Sequence, residues 1–176
     1  MTRLLGISGS LRAGSYNTRL MHEAARHFAA DVFVVGDLRL PLYDGDLEDA
    51  HGIPAEVQRL ADQIAEADAV VISTPEYNKN LSGVLKNALD WVSRTEGNPW
   101  ADKPVAIMSA TGGRAGGERT QNSLRLCLQP FRPLILQGPE VLVGGASKEF
   151  GTAGRLISER YEATLKTLMA ELRARV

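Results

Sequence analysis

The chain has 176 residues, 44% hydrophobic and 23% charged, with 20 Lys plus Arg against 21 Asp plus Glu and a formal net charge of −1. That is one domain's worth of ordinary globular composition, which excludes wholesale disorder, fibrous structure and an electrostatic footprint for nucleic acid or an acidic membrane. A single cysteine, Cys127, excludes an internal disulfide and a cysteine-based metal site, and no other metal site is expected.

The predicted elements alternate along the chain. Residues 3–8 form a strand that stops at Gly9-Ser10, and 17–28 a helix with Leu20, Met21, Ala24, Ala25 and Phe28 on one face. A second strand over 32–35 ends at Gly36-Asp37, and a helix over 54–67 carries Val57, Leu60, Ala61 and Ile64. The third strand, 69–73, is unbroken in its apolar character, which suggests burial on both faces. Its run Ala69-Val70-Val71-Ile72 is the longest aliphatic stretch, far short of the roughly 20 residues a bilayer span takes. Gly6, Ser8, Gly9 and Arg12 break up any signal-peptide core, so a cytoplasmic location is expected.

Helix 81–92 carries Leu81, Val84, Leu85, Ala88, Trp91 and Val92 along one stripe and Lys86, Asn87, Asp90, Ser93 and Arg94 on the other side. Strand 105–109, helix 118–131 and a fifth strand, 141–143, follow. Ile157, Tyr161, Leu165, Leu168 and Leu172 mark a terminal helix. Strands alternating with helices demand an α/β fold, a parallel sheet with helices on both faces joined by right-handed crossovers. Ligands bind such sheets beyond the carboxyl ends of the strands, where the strand order reverses. The loops after strands one, three and four should therefore converge.

The first loop, 9–18, opens a helix whose N-terminal amides suit a phosphate, with Ser10, Arg12, Ser15, Asn17 and Thr18 as further donors. It lacks both the Gly-Lys-Ser/Thr of a nucleotide P-loop and the glycine spacing of a dinucleotide fingerprint. The plainer alternative makes Ser15 an ordinary N-cap. The second loop, 74–83, supplies an apolar wall and amide groups for a planar ring; alternatively Asn78 and Asn80 are turn and cap residues. In the third, 109–117, four glycines expose backbone amides to a ligand edge or serve positive-φ turns. Together a phosphate cradle, a ring wall and an amide-rich edge describe a site for a mononucleotide with a large ring, which flavin mononucleotide (FMN) fits best.

Three stretches carry a resemblance. Gly9-Ser10-Leu11-Arg12-Ala13-Gly14-Ser15-Tyr16-Asn17, Pro75-Glu76-Tyr77-Asn78 and Gly83-Val84-Leu85-Lys86-Asn87-Ala88-Leu89-Asp90-Trp91 resemble the NAD(P)H-dependent FMN reductase family, quinone and chromate reductases among them. Leu40-Pro41-Leu42-Tyr43-Asp44 extends the likeness, which runs over nearly the whole chain. The resemblance implies a single flavodoxin-like domain over 1–176, a three-layer sandwich on a five-stranded parallel sheet in order 2-1-3-4-5. It matches Ser10, Arg12, Ser15 and Asn17, with Tyr16 and Thr18 alongside, to the FMN-phosphate loop. Pro75, Glu76, Tyr77 and Asn78 match the loop that contacts the isoalloxazine, and Thr111, Gly112 and Gly113 the pyrimidine edge. It also implies a homodimer or homotetramer with helix 81–92 at the interface. The chain departs from the family where Asn80 and Ser82 replace a usual Ser and Pro, which should loosen the wall beside the ring.

The activity so implied is transfer of hydride from NADH or NADPH to FMN N5, then of two electrons to a quinone or similar acceptor such as chromate, a ferric complex or free flavin. The hard chemistry is the cofactor's, so no catalytic acid or base is assigned. His22 and His27 within a helix, and His51 in a Gly/Pro-bounded loop, read as structural or exposed, and Cys127 as a small core residue. Trp91 should pack at a helix interface. Arg94 is a substrate-binding candidate, reaching a neighbour's flavin or the nicotinamide phosphates in an oligomer, with a surface ion pair as its alternative. The rival function is a flavodoxin-type electron carrier. A net charge of −1 argues against it, because small carriers dock on basic partners through strongly acidic surfaces.

Overall fold

The computed structural model describes residues 1–176. Six parallel strands form one sheet: β1 (Arg3–Ser8), β2 (Val32–Gly36), β3 (Ala69–Ser73), β4 (Pro104–Ala110), β5 (Leu134–Ile135) and β6 (Val141–Val143). The spatial order is β2-β1-β3-β4-β5, with β6 also on β4. The helices are α1 (Tyr16–Phe28), α2 (Gly45–His51), α3 (Ala55–Glu66), α4 (Gly83–Val92), α5 (Glu118–Leu128) and α6 (Glu159–Arg173).

The period of two along each strand splits the core into two layers. Leu4, Val71 and Met108 face α1 and α6, where Leu20, Met21, Ala24, Leu165 and Leu168 meet them. Leu5, Ile7, Val70, Ile72 and Ile107 face α3, α4 and α5, against Leu60, Ile64, Leu85, Leu89 and Leu124. Every residue of β3 is buried, as its uniform sequence predicts. Gly6 lets α1 approach closely, since a Cβ there would sit 2.8 Å from both Met21 Sδ and a ring carbon of Phe33.

The structure departs from the sequence reading in several places. The fifth sheet position holds two short strands. Leu134–Ile135 pairs with Pro104–Val105, and Val141–Val143 pairs with Met108–Ala110. Pro139, which has no N–H to donate, lies in the break between them. Helix α2 was not anticipated because none of its residues is buried, so it carries no apolar stripe. Its start is chemical, with the Asp44 carboxylate accepting from the Asp46 amide at 3.0 Å. His51 therefore ends a helix and does not sit in a loop. Residues 129–131 tighten into a 3-10 turn beyond α5. Ile157 precedes α6 and is 60% exposed, so it is no part of that helix's buried stripe.

Candidate functional site

Loops one, two and three meet at the carboxyl end of the sheet, and Asn17 joins them. Its side chain, 3% exposed, accepts from Ala110 N at 2.9 Å and Ser73 Oγ at 3.0 Å, and donates to Ala110 O at 2.9 Å. The first turn of α1 is thereby tied to the ends of β3 and β4. The side-chain amide expected to contact a phosphate thus has its oxygen and one N–H engaged in the framework. Ser15 is the N-cap, its Oγ accepting from Thr18 N at 3.2 Å and its O–H left to donate. Thr18 Oγ1 lies 2.9 Å from Ser8 Oγ.

What loop one leaves free is backbone. The amides of Leu11, Ala13 and Gly14 make no hydrogen bond within the chain, and those of Tyr16 and Asn17 precede the first intrahelical bond, Arg19 N to Ser15 O. Arg12 is exposed and enters none of the chain's ion pairs. Ser10 is buried beneath it, its Oγ accepting from Arg12 N at 3.4 Å. Tyr16 stacks on Phe150 at 5.5 Å between centroids, with Arg19 over its ring at 5.3 Å. That ring receives the Arg19 cation in the first turn of α1.

Loop two leaves β3 through Thr74, which is fully buried, and Pro75. Tyr77–Asn80 then closes a tight hairpin, with Tyr77 N bonded to Asn80 O at 3.0 Å and Asn80 N to Tyr77 O at 3.1 Å. Both central residues have positive φ, 51° at Asn78 and 67° at Lys79, as a two-residue turn of this hand requires. Asn78 is thus a turn residue, exposed at the rim, and Tyr77 is 45% exposed. Ser82 is buried and caps α4, accepting from Leu85 N at 3.4 Å. Replacement of the family's proline therefore supplies a cap where looseness was expected. Glu76 lies between this loop and the third, with Oε1 3.5 Å from Arg119 and Oε2 buried without a partner.

The glycines of loop three divide by task. Gly116 (φ +62°) and Gly117 (φ +93°) are packed inward, where a Cβ would stand 2.5 Å from the Leu142 backbone or 2.8 Å from Ser109. Ser109 Oγ donates to Gly116 O at 2.6 Å, and Gln121 Nε2 donates to Ser109 Oγ and Val141 O, both at 2.9 Å. Gly112 faces open space instead. The amides of Gly112, Gly113, Arg114 and Ala115 are unpaired, whereas Thr111 N is committed to Val143 O at 2.9 Å. Of the three residues expected to offer amides at this edge, two are available.

These loops enclose a cleft of about 260 Å³ that brings together Ser10, Arg12, Ser15, Tyr16, Asn17, Pro75, Glu76, Tyr77, Thr111 and Gly112. Thr18 opens on the far side of loop one, into a second hollow bounded by Arg39. A larger cavity of about 720 Å³ adjoins the cleft across Glu76, Thr111 and Gly112, and Gly113 lines that one. Arg114 and Arg119 also line it and were missed by the sequence reading, although a cation between two glycine pairs was a visible signal.

Arg94 does not join the cleft. Its Nε lies 3.0 and 2.9 Å from the two Glu48 oxygens, the surface ion pair of its alternative reading. That hydrogen bond holds the Glu48 carboxyl below its ordinary pKa, and Glu48 in turn pushes the Tyr43 phenol up. Trp91 packs against segment 41–43, donating to Pro41 O at 2.7 Å and meeting Tyr43 edge-on at 5.0 Å.

Comparison with known proteins gives consistent results. The family model described as NADPH-dependent FMN reductase matches residues 2–148. The NAD(P)H-dependent FMN reductase of Pseudomonas aeruginosa is 40% identical over 172 residues, covering 97% of this chain and 92% of that protein. A quinone reductase of Escherichia coli strain K12 is 40% identical over 147 residues, covering 81% and 77%. Among solved structures, FerB, a flavoenzyme NAD(P)H:(acceptor) oxidoreductase of Paracoccus denitrificans, superposes with a TM-score of 0.87 at 29% identity, covering 99% of this chain and 96% of that one.

Proposed function

The chain belongs to the NADPH-dependent FMN reductase family, and from that premise we propose that it is an NAD(P)H:acceptor oxidoreductase with FMN in the cleft. Quinones are the proposed acceptors, as in the relatives named for them.

One observation carries the reading: the cleft presents unsatisfied groups of both kinds, donors in its first loop and an acceptor in its second. Free loop-one amides and the unpaired Arg12 form a donor set that matches a phosphate dianion. In the second loop, the orphaned Glu76 Oε2 needs a donor, and hydroxyl- and imide-bearing groups supply one. FMN has both halves, so the residues present fit it.

When bound, FMN supplies two-electron exchange between reduced nicotinamide and the acceptor. The chain's part is placement and charge. Ser10 and Arg12 hold the phosphate with the first-turn amides of α1, and Asn17 keeps those amides in position. Pro75, Glu76, Tyr77 and Asn78 form the wall of the ring site, stiffened by the Tyr77–Asn80 hairpin. The unpaired Gly112 and Gly113 amides would donate to the bound ring and favour negative charge on it, as fixed donors do. No side chain serves as acid or base in this scheme.

Residues 1–176 act as one FMN-binding domain, and the proposal includes a cytoplasmic homodimer or homotetramer. No helix is long and apolar enough to cross a membrane. Leu42 at 82% exposure and Leu47 at 52%, beside the segment that α4 holds, support an interface there.

The test is spectroscopic. Purified protein should take up FMN and turn yellow, bleach anaerobically with NADH or NADPH, and recover colour with a quinone. A protein that stays colourless in excess FMN, or that bleaches only when a separate reductase is added, overturns the proposal.

A further inference from the structure

The larger cavity beside the cleft has a chemistry of its own. Arg114 enters none of the chain's ion pairs, and Arg119, with its side chain 59% exposed, reaches only Glu76 at 3.5 Å. The contact is long and its Arg119 end is exposed, so the guanidinium can take a ligand anion while it stays beside the largely buried Glu76. Around the two guanidiniums stand the unpaired amides of Gly112, Gly113, Arg114 and Ala115. With Glu76 the one carboxylate in the wall, two cations outweigh one anion.

Such a wall recognises a ligand with several negative oxygens, since each guanidinium pairs with phosphate through directed N–H bonds and the loop amides add more. The cavity shares Glu76, Thr111 and Gly112 with the cleft, so a ligand anchored there by an anionic end extends its other end to the cleft. The two reactants that take turns at the cleft differ in this respect: a nicotinamide dinucleotide carries a pyrophosphate, and a simple quinone is neutral. The geometry points to the cavity as the seat of the dinucleotide's pyrophosphate, held by Arg114 and Arg119. The inference rests on the function proposed above. It makes these arginines the residues that distinguish electron donor from electron acceptor, with Glu76 keeping Arg119 at the cavity wall.

The test uses FMN-loaded protein, Arg114→Gln and Arg119→Gln singly and together. The double variant should raise KM for NADH and NADPH about tenfold or more, the range expected for two charged hydrogen-bond partners, while KM for an uncharged benzoquinone stays within about twofold. Calorimetric titration with ADP-ribose, which carries the pyrophosphate but no nicotinamide, should show binding to the parent protein and none to the double variant. FMN content of the variants reports that the cleft is intact. Unchanged nicotinamide KM and unchanged ADP-ribose binding in a yellow double variant overturn the inference, as does an equal rise in quinone KM. If the parent protein fails to oxidise reduced nicotinamide, the proposed function falls, while the ADP-ribose titration still decides whether the anion site exists.

Discussion

Asn17 and Ala110 clasp each other in both directions, the side-chain amide donating to the backbone carbonyl and accepting from the backbone N–H, each at 2.9 Å. The link joins residues 93 positions apart, and it sets where loop one lies relative to loop three. Asn17→Ala would leave both Ala110 groups and Ser73 Oγ without this partner in a buried setting. Each such loss costs about 1–3 kcal/mol, so we expect destabilisation of roughly 3–5 kcal/mol and a fall in Tm of about 10 °C for a chain of this size. Thermal unfolding of the FMN-free protein measures this. A variant with unaltered Tm and lost FMN affinity would return Asn17 to a direct ligand role.

Arg12 has the opposite profile, exposed and without a carboxylate, so it stabilises little in the free chain. Arg12→Ala should leave the FMN-free Tm within about 2 °C and weaken FMN binding roughly 10- to 100-fold, the worth of one charge-assisted contact. Arg94→Ala, which removes only the Glu48 pair, should change FMN affinity less than twofold by fluorescence titration. Equal effects of the two would discredit the phosphate assignment.

The third loop offers a contrast between neighbouring glycines. Gly116→Ala places a methyl 2.5 Å from the Leu142 backbone at a φ of +62°, so the loop must move and stability should fall by about 2 kcal/mol or more. Gly112→Ala meets nothing within 4 Å and should melt like the parent. Its side chain enters the space claimed for the ligand, so FMN affinity should drop here with no loss of stability, whereas Gly116→Ala loses stability. Parallel melts and FMN titrations separate the two effects.

Lys79 sits at φ +67°, where a side-chain-bearing residue is strained, in the turn position that glycine favours. Lys79→Gly should stabilise the protein by about 0.5–1 kcal/mol, a rise in Tm of a few degrees. A fall in Tm would show that the Lys79 side chain contributes more than its backbone strain costs.

His27 sets a pH dependence. Burial, and then Arg26, lower its pKa from the ordinary 6.5, against the weaker opposing effects of Glu162 and Glu23. The unfolded chain therefore takes up the proton first. The stability that comes from keeping His27 neutral is full above about pH 6.5 and is lost as the pH falls below it. Glu162, held low chiefly by its hydrogen bond from Arg26, loses its contribution only below its ordinary 4.5. Denaturant unfolding between pH 7 and 5 should show a slope that His27→Gln flattens. A slope unaffected by that substitution would assign the titration elsewhere.

Strand period and helix stripe were legible without a structure because each is a one-dimensional signal of burial. Leu4 and Leu5 face opposite layers for no reason but alternation, and Val57, Leu60 and Ile64 mark α3 by spacing alone. The three loops were legible too, since glycine, proline and hydroxyl residues cluster where a chain must turn and where donors gather. Helix α2 was not, because it buries no residue, and β5 was not, because two residues make no period. What only the fold decided is which polar groups are already spoken for. Asn17, Ser15 and Thr111 N find partners inside the chain, while Arg12, Gly112, Arg114 and Glu76 Oε2 do not. A donor's availability depends on neighbours distant in the chain, so it becomes visible when the sheet brings Ser73, Ala110 and Val143 alongside.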